Sequence, residues 1–182
     1  MRTYVLGLGN VLMGDDGFGP TVVRAFDDAF DAGADVEVVD VGTPGLDLMP
    51  WLFDADRVVI VDTVKSDGAP GTIKLYDKAD ILRHLPTARI GPHDPGVKEA
   101  LLTLEFAGRG PREVVLVGVI PKTVGMATEL SAPVAGAVPD AVTALVDVLT
   151  GLGHMVRRRA VCEVAPPWWS ETVSPAGTST AS

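Results

Sequence analysis

The chain has 182 residues, of which 47% are hydrophobic, and carries 15 basic against 24 acidic residues, a formal net charge of -9. This length and apolar content suit one domain with a sizeable core. The negative charge repels phosphate backbones and anionic lipid surfaces, so nucleic acid is a poor candidate partner.

The cysteine content and the first residues indicate a compartment. Cys162 is the only cysteine, so no disulfide can form within the chain. The first residues lack the pattern of a signal peptide, and we expect no apolar run approaching the roughly 18 residues of a membrane span. The sequence therefore predicts a cytoplasmic protein with no membrane partner.

The chain begins with a strand, a glycine-rich crossing and a helix. Residues 4–8 form a short apolar run of β-forming side chains that stops at a glycine. Asp15 and Asp16 follow in the positions of a helix N-cap and of first-turn acids, and we expect the helix to end near Phe30. A pair of carboxylates in such a crossing is typical of a ligand site, although an acid there more commonly caps the helix.

Strands and helices continue to alternate. Residues 36–42 predict a strand, residues 46–53 a helix, and residues 57–62, RVVIVD, a strand without polar alternation. Strands of that kind are buried on both faces, as in a parallel sheet covered by helices. The order of elements therefore predicts right-handed crossovers and a three-layer αβα domain of the α/β class with a mostly parallel central sheet.

The second half adds an edge strand and further core elements. Residues 71–76 alternate in polarity, which predicts an antiparallel edge strand with one solvated face. The other predicted elements are helices over residues 78–83 and 97–106, a buried strand over residues 112–119, and a helix from about residue 133 to residues 151–153. The periodicity is then lost, which predicts a single domain over residues 1–155 and a disordered tail over residues 156–182. Trp168 and Trp169 lie in that tail. They either have no partner there or pack loosely on the domain, or they contact another protein.

Acidic side chains follow each of the first three predicted strands: Asp15 and Asp16, then Asp40, then Asp62. In a parallel sheet these positions share the edge where ligands bind, at the point where the strand order reverses. With the strand order 2-1-3, Asp16 and Asp62 flank that point. His93 lies in a loop bracketed by prolines, PHDPG, which is stiff enough to hold an imidazole in place.

Asp16, Asp62 and His93 together offer two carboxylates and one imidazole. Such a ligand set suits a borderline divalent ion such as nickel, zinc, iron or manganese, and the spacing does not select among them. Three ligands leave an open position, as a catalytic or docking site requires.

Other polar residues have simpler explanations. Asp40 precedes a glycine and more often starts a turn than takes part in catalysis. His84 and His154 have no acidic partner at ligand spacing, so we interpret both as structural or exposed. The glycines of the first crossing do not fit G-x-G-x-x-G, and the acids after them would repel a pyrophosphate, which argues against a dinucleotide.

Six motifs follow one another along the chain: GLGNVLMGDDGFG (7–19), DVGTPG (40–45), VIVD (59–62), PGTI (70–73), PHDPG (92–96) and LVGVIP (116–121). In this combination the chain resembles the nickel-iron hydrogenase maturation endopeptidases over roughly residues 2–153. The resemblance implies a phosphorylase/hydrolase-like α/β fold and the activity of a selective protease. Its substrate would be the hydrogenase large-subunit precursor, from which it removes a C-terminal extension after nickel insertion.

The resemblance also implies roles for Asp16, Asp62 and His93 as metal-contacting and catalytic residues. Nickel would come with the precursor rather than be held permanently by the protease. We separately expect the protease to be monomeric. Some members of the family have Glu where this chain has Asp16, so the reach at that position is one methylene shorter. Since Cys162 lies in the tail and no supported Ser/His/Asp order occurs, we expect hydrolysis without a covalent intermediate, with one carboxylate as general base.

Two other functions stay open at this point. A nickel-loading checkpoint or chaperone for hydrogenase maturation would recognise the metal without cutting the precursor. Peptidyl-tRNA hydrolase has a related fold that also opens with GLGN, but it continues with a proline where this chain has Val11. An acidic surface also suits tRNA badly.

Overall fold

The computed structural model describes residues 2–43, 48–84 and 96–160. The strands are β1 (Thr3–Leu8), β2 (Phe30–Asp31), β3 (Val36–Gly42), β4 (Arg57–Thr63), β5 (Ile73–Asp77), β6 (Glu113–Val119) and β7 (Arg157–Arg158). The α-helices are α1 (Phe18–Ala29), α2 (Met49–Leu52), α3 (Lys78–His84), α4 (Val97–Phe106) and α5 (Ala132–Gly151). A short 3-10 helix, Gly14–Gly17, precedes α1.

Five strands form the central sheet in the order β3-β1-β4-β6-β5. All neighbours are parallel except β5, which runs antiparallel to β6 at the edge. This arrangement confirms the predicted mostly parallel sheet and the antiparallel edge strand, and the order β3-β1-β4 meets the 2-1-3 condition under which Asp16 and Asp62 flank the crevice. The strand order reverses between β1 and β4, so a crevice opens beyond the carboxyl ends of these two strands.

Helices cover both faces of the sheet with apolar side chains. On one face, α1 and α5 pack with Val59 and Val61 of β4 in one buried cluster. On the other face, α2, α3 and α4 pack with Val58 and Ile60 in a second cluster. Both faces of β4 are therefore buried, which explains why its sequence is apolar without alternation.

Gly19 allows α1 to lie directly against the sheet. A Cβ atom at this position would overlap the carbonyl oxygens of Leu8 and Val61, on the two strands that flank the crevice. Since both neighbours are backbone atoms of buried strands, they cannot move aside without disturbing the sheet. The close approach also holds the start of α1, and the acids that precede it, near the strand ends.

Substitution of Gly19 by alanine is expected to lower the free energy of unfolding by about 3 kcal/mol, because the added methyl group overpacks a rigid site. Thermal or urea denaturation measures the effect. The matched control is Gly136→Ala on α5, where nothing lies within 4 Å of the added Cβ. That change should raise stability by up to about 1 kcal/mol, since alanine favours a helix interior. A free energy of unfolding of Gly19→Ala equal to that of the wild type would contradict the close packing of α1.

The predicted capping role of Asp15 and Asp16 is wrong. The N-cap residues are Met13 for the 3-10 helix and Gly17 for α1, and neither helix start has a side-chain cap hydrogen bond. The extra 3-10 turn places both acids before α1 begins. Their carboxylates bind other partners, described below.

The helix predicted over residues 46–53 is shorter in the structure. α2 covers Met49–Leu52, and Phe53 follows in an extended conformation. Asp54 then takes a positive φ of 53°, which ends any helix. Residues 44–47, with part of the predicted TPG turn, lie outside the described residues.

Among the described helices, α5 is long and apolar enough to span a membrane by length and composition. This finding corrects the expectation that no run approaches that length. One such helix is weak evidence for a span, because the core helix of a globular domain passes the same test. The buried residues of α5 are Val134, Ala137, Ala141, Leu145 and Leu149, and they pack in the cluster shared with α1.

Regular structure continues beyond the predicted domain boundary at residue 155. β7 pairs antiparallel with β2, and the Arg159 N–H group donates to the Ala29 carbonyl at 2.8 Å. A two-residue strand whose partner is distant in the chain has no local periodicity, which is why the sequence did not reveal it. The rest of the predicted tail lies outside the described residues: 161–182, with Cys162, Trp168 and Trp169.

Candidate functional site

The crossing after β1 folds back so that Asp16 returns to the end of that strand. Gly9 has a φ of 135°, and the Asp16 carbonyl occupies the space where a side chain of Gly9 would lie. The Asn10 N–H group donates to Asp16 Oδ2 at 2.8 Å. Asp16 is partly buried. Its carboxylate is thus held at the crevice by the glycine-rich crossing itself.

Asp62 lies at the end of β4 with an exposed fraction of 0%. Its Oδ1 accepts a hydrogen bond of 2.7 Å from the N–H group of the next residue, Thr63. The Thr63 hydroxyl in turn donates to Asp16 Oδ1 at 3.5 Å. The structure therefore brings Asp16 and the end of β4 together at the point where the strand order reverses.

His93 lies outside the described residues, within 85–95, so its predicted role as a ligand stays a prediction. Gly96, the last residue of the PHDPG motif, is the N-cap of α4 in an extended conformation. α4 leads into β6, which is parallel to β4, so α4 starts near the carboxyl edge of the sheet. No group of three or more His, Cys, Asp or Glu that could hold a metal occurs within 2–43, 48–84 and 96–160.

Asp15 is fully buried and binds the loop between β6 and α5. Its Oδ2 accepts the N–H groups of Lys122 at 2.8 Å and Thr123 at 2.9 Å. Ser131 donates its N–H group to Oδ1 at 2.6 Å and its hydroxyl to Oδ2 at 2.9 Å. Burial raises the pKa of Asp15, but these hydrogen bonds outweigh burial and hold the pKa below its usual value.

The two neighbouring acids therefore have different tasks, which the sequence did not distinguish. Asp15 joins two segments of the chain, whereas Asp16 lies at the crevice. Ser131 is the N-cap of α5 yet makes no side-chain cap hydrogen bond, because its hydroxyl binds Asp15. Nothing local in the sequence indicates that pairing.

Asp40 is exposed and forms the turn at the end of β3. Its Oδ1 accepts the N–H group of Gly42 at 3.0 Å, and Gly42 has a φ of 62°. The Gly42 carbonyl accepts the N–H group of Gly9 at 2.8 Å, which ties this turn to the end of β1. These contacts support the interpretation of Asp40 as a turn residue.

His154 lies away from the crevice, and the side chain of His84 is outside the described part of the structure. His84 is the last residue of α3. His154 Nε2 lies 2.8 Å from Thr3 Oγ1, at the start of β1 and thus at the opposite edge of the sheet. Burial and the nearby charge of Arg57 lower the pKa of His154.

A cavity of about 360 Å³ also lies at that opposite edge, lined by residues 31–35, 153–155 and Arg157. The strand order and the contact of Asp16 with the end of β4 both favour the other edge of the sheet as the functional one. The cavity therefore does not change the location of the candidate site.

Comparison with known proteins decides the family. A family model described as hydrogenase maturation protease matches residues 20–148. The chain belongs to the hydrogenase maturation protease family. The hydrogenase expression/formation protein HupD of Rhizobium leguminosarum bv. viciae is 32% identical to it over 167 residues, 91% of this chain and 83% of that protein. The hydrogenase 2 maturation protease of Escherichia coli (strain K12) is 36% identical over 124 residues, 68% of this chain and 75% of that protein.

Solved structures show the same fold. The hydrogenase maturating endopeptidase HybD from E. coli matches with a TM-score of 0.79 and 29% identity, over 87% of this chain and 98% of that chain. The family resemblance inferred from the six sequence motifs is thus confirmed. The chain is a maturation protease, which makes it a peptide hydrolase and argues against the peptidyl-tRNA hydrolase alternative.

Proposed function

We propose that this maturation protease removes the C-terminal extension of a nickel-iron hydrogenase large-subunit precursor after nickel insertion, and that it recognises the nickel bound in the precursor. The main support for the proposal is the hydrogen bond from the Thr63 hydroxyl, at the end of β4, to Asp16 Oδ1 at the crevice. The names of two similar proteins, a hydrogenase 2 maturation protease and a hydrogenase maturating endopeptidase, support the substrate class.

The two carboxylates have the chemistry that a nickel ion requires. Asp16 Oδ2 binds a backbone amide, while its Oδ1 accepts one long hydrogen bond of 3.5 Å from Thr63. A carboxylate oxygen has two lone pairs, so Asp16 Oδ1 retains capacity for a cation. Asp62 is held rigidly at the end of a buried strand. With the imidazole of His93, they provide the mixed oxygen and nitrogen set that suits a borderline divalent ion.

Nickel would arrive as part of the substrate. A closed structural site for a comparable ion uses four ligands, and three are predicted on this chain. The precursor would supply the rest. A site completed only by a nickel-bearing precursor distinguishes loaded from unloaded substrate, so cleavage follows insertion.

The protease's own residues would then orient the reacting groups. The precursor's nickel supplies Lewis acidity at the peptide to be cut. One of the two carboxylates accepts a proton from the attacking water, and the other, with His93, holds the nickel-bearing segment in place. The hydroxyl of Thr63 orients Asp16 for either role. The turn formed by Asp40 and Gly42 lies at the same edge and would position the peptide through its backbone groups.

Incubation with nickel-loaded and with metal-free precursor tests the proposal, with mass spectrometry of the large subunit as readout. We expect loss of the C-terminal extension only when nickel is present. A stable complex with loaded precursor and no cleavage would instead support the checkpoint or chaperone function. Equal cleavage of both precursors would contradict nickel recognition. A monomeric state, a cytoplasmic location, and the absence of membrane and nucleic-acid partners remain predictions.

A further inference from the structure

We propose that Leu12 and Met126 form an apolar docking surface beside the candidate site, and that this surface binds an apolar segment of the precursor polypeptide near the cleavage point. The inference rests on the proposed function. Leu12 is 50% exposed and Met126 is 94% exposed. Leu12 lies in the crossing after β1, and Met126 lies in the loop after β6. Both therefore belong to the sheet edge that carries Asp16 and Asp62.

The two loops are hydrogen-bonded to each other. Met13 and Ala127 form a parallel bridge. The Gly14 N–H group donates to the Ala127 carbonyl at 2.7 Å, and the Ala127 N–H group donates to the Leu12 carbonyl at 3.1 Å. The bridge therefore brings the backbone of Leu12 close to that of Met126, so the two exposed apolar side chains project from adjacent segments of the same sheet edge.

The buried carboxylate of Asp15 holds the loop that carries Met126. It binds the loop at Lys122 and Thr123 on one side of Met126 and at Ser131 on the other. A loop anchored in this way cannot easily turn its methionine inward. The fold therefore keeps both apolar side chains exposed at the edge that carries the candidate site, where a bound polypeptide could cover them.

The docking surface is continuous with the candidate site. The Leu12 N–H group donates to Asn10 Oδ1 at 2.9 Å, and the Asn10 N–H group donates to Asp16 Oδ2 at 2.8 Å. Leu12 is therefore within reach of a polypeptide whose metal contacts Asp16. The surface would contribute binding free energy by burying apolar area, without taking part in the chemistry.

The charge of the protein favours the precursor over other occupants. A second copy of this chain would bring another net charge of -9 against the same acidic edge. An anionic lipid surface is repelled for the same reason. The precursor differs from both because its nickel contributes positive charge where Asp16 and Asp62 lie.

Steady-state cleavage of nickel-loaded precursor by Leu12→Ser, Met126→Ser and the double variant tests the surface. Each side chain is exposed in the free protease and would be buried when the precursor binds. We therefore expect KM to rise about fivefold for each single change and about twentyfold for the double change. The value of kcat should stay within about twofold, because no reacting group is altered. The matched control is Phe106→Ser, since Phe106 is 98% exposed at the end of α4, at the opposite edge of the sheet. It should leave both constants unchanged.

Several outcomes would overturn the docking surface while leaving the protease function intact. They are an unchanged KM in the double variant, an equal rise in Phe106→Ser, and a fall in kcat alone. If KM is unchanged and wild type is dimeric where the double variant is monomeric, the surface instead binds a second copy. If wild type neither binds nor cleaves the loaded precursor, the proposed function fails, and this inference fails with it.

Discussion

Substitution of Asp16 or Asp62 by asparagine is expected to lower kcat/KM for nickel-loaded precursor by about a thousandfold or more, because the amide neither accepts a proton nor neutralises a cation. Asparagine has nearly the shape of aspartate. The N–H groups of Asn10 and Thr63 can still find an amide oxygen, so the fold should persist. Cleavage kinetics, with thermal melting of each variant, measure both expectations.

The matched control for these variants is Asp67→Asn. Asp67 is an exposed acid in the loop after β4, so the change removes the same charge near the same sheet edge. It should cleave like wild type. The variant His93→Ala extends the test to the third predicted ligand and should lose activity to a similar extent. Equal cleavage by all of these proteins would mean that the site lies elsewhere.

Substitution of Asp15 by alanine is expected to lower the free energy of unfolding by about 3 to 5 kcal/mol, because several donors lose one buried acceptor at once. The donors are the N–H groups of Lys122, Thr123 and Ser131 and the Ser131 hydroxyl. Urea denaturation measures the loss. The milder control is Ser131→Ala, which removes only the hydroxyl and should cost about 1 kcal/mol.

A free energy of unfolding of Asp15→Ala equal to that of the wild type would contradict this role of Asp15. Such a result would mean that water or other groups satisfy the donors. The loop between β6 and α5 would then be held by its remaining contacts with the crossing, such as the Gly14 N–H bond to the Ala127 carbonyl.

Asp15 should also contribute to the acid sensitivity of the fold. Burial alone would raise its pKa, but the hydrogen bonds from Thr123, Ser131 and Lys122 dominate and lower the pKa from 3.8. A carboxyl whose pKa is lower in the folded than in the unfolded state stabilises the protein above the unfolded pKa. That stability is lost as pH falls through the folded pKa. Below about pH 4, wild-type stability should therefore fall more steeply than that of Asp15→Asn, which urea denaturation across this range would show.

The sheet could be predicted because the pattern of apolar and polar residues in each strand depends on which of its faces are buried. The unbroken apolar run of β4 required two covered faces, and the alternation of β5 required one wet face. Once the strands were ordered, the positions of Asp16 and Asp62 followed from topology alone. The proximity of Asp16 to the end of β4 could be predicted because the carboxyl ends of parallel strands share an edge.

Contacts between distant segments could not be predicted. The partners of Asp15 lie in the loop after β6, so its sequence neighbourhood resembles an ordinary helix start. The strand β7 depends on β2 in the same way. The pairing of the Leu12 and Met126 loops is also long-range, and neither loop has a periodic pattern that would reveal it. Local sequence therefore indicated the acids of the site but not the structure that supports them.

We propose that Asp16 and Asp62 contact the precursor's nickel. X-ray absorption at the nickel edge, on loaded precursor frozen immediately after mixing with protease, tests it most directly. With wild type, we predict additional oxygen ligands in the nickel coordination shell, and with the Asp16→Asn, Asp62→Asn double variant, a spectrum equal to that of precursor alone. An unchanged nickel spectrum with wild type, in a sample that goes on to be cleaved, would contradict metal recognition by these carboxylates.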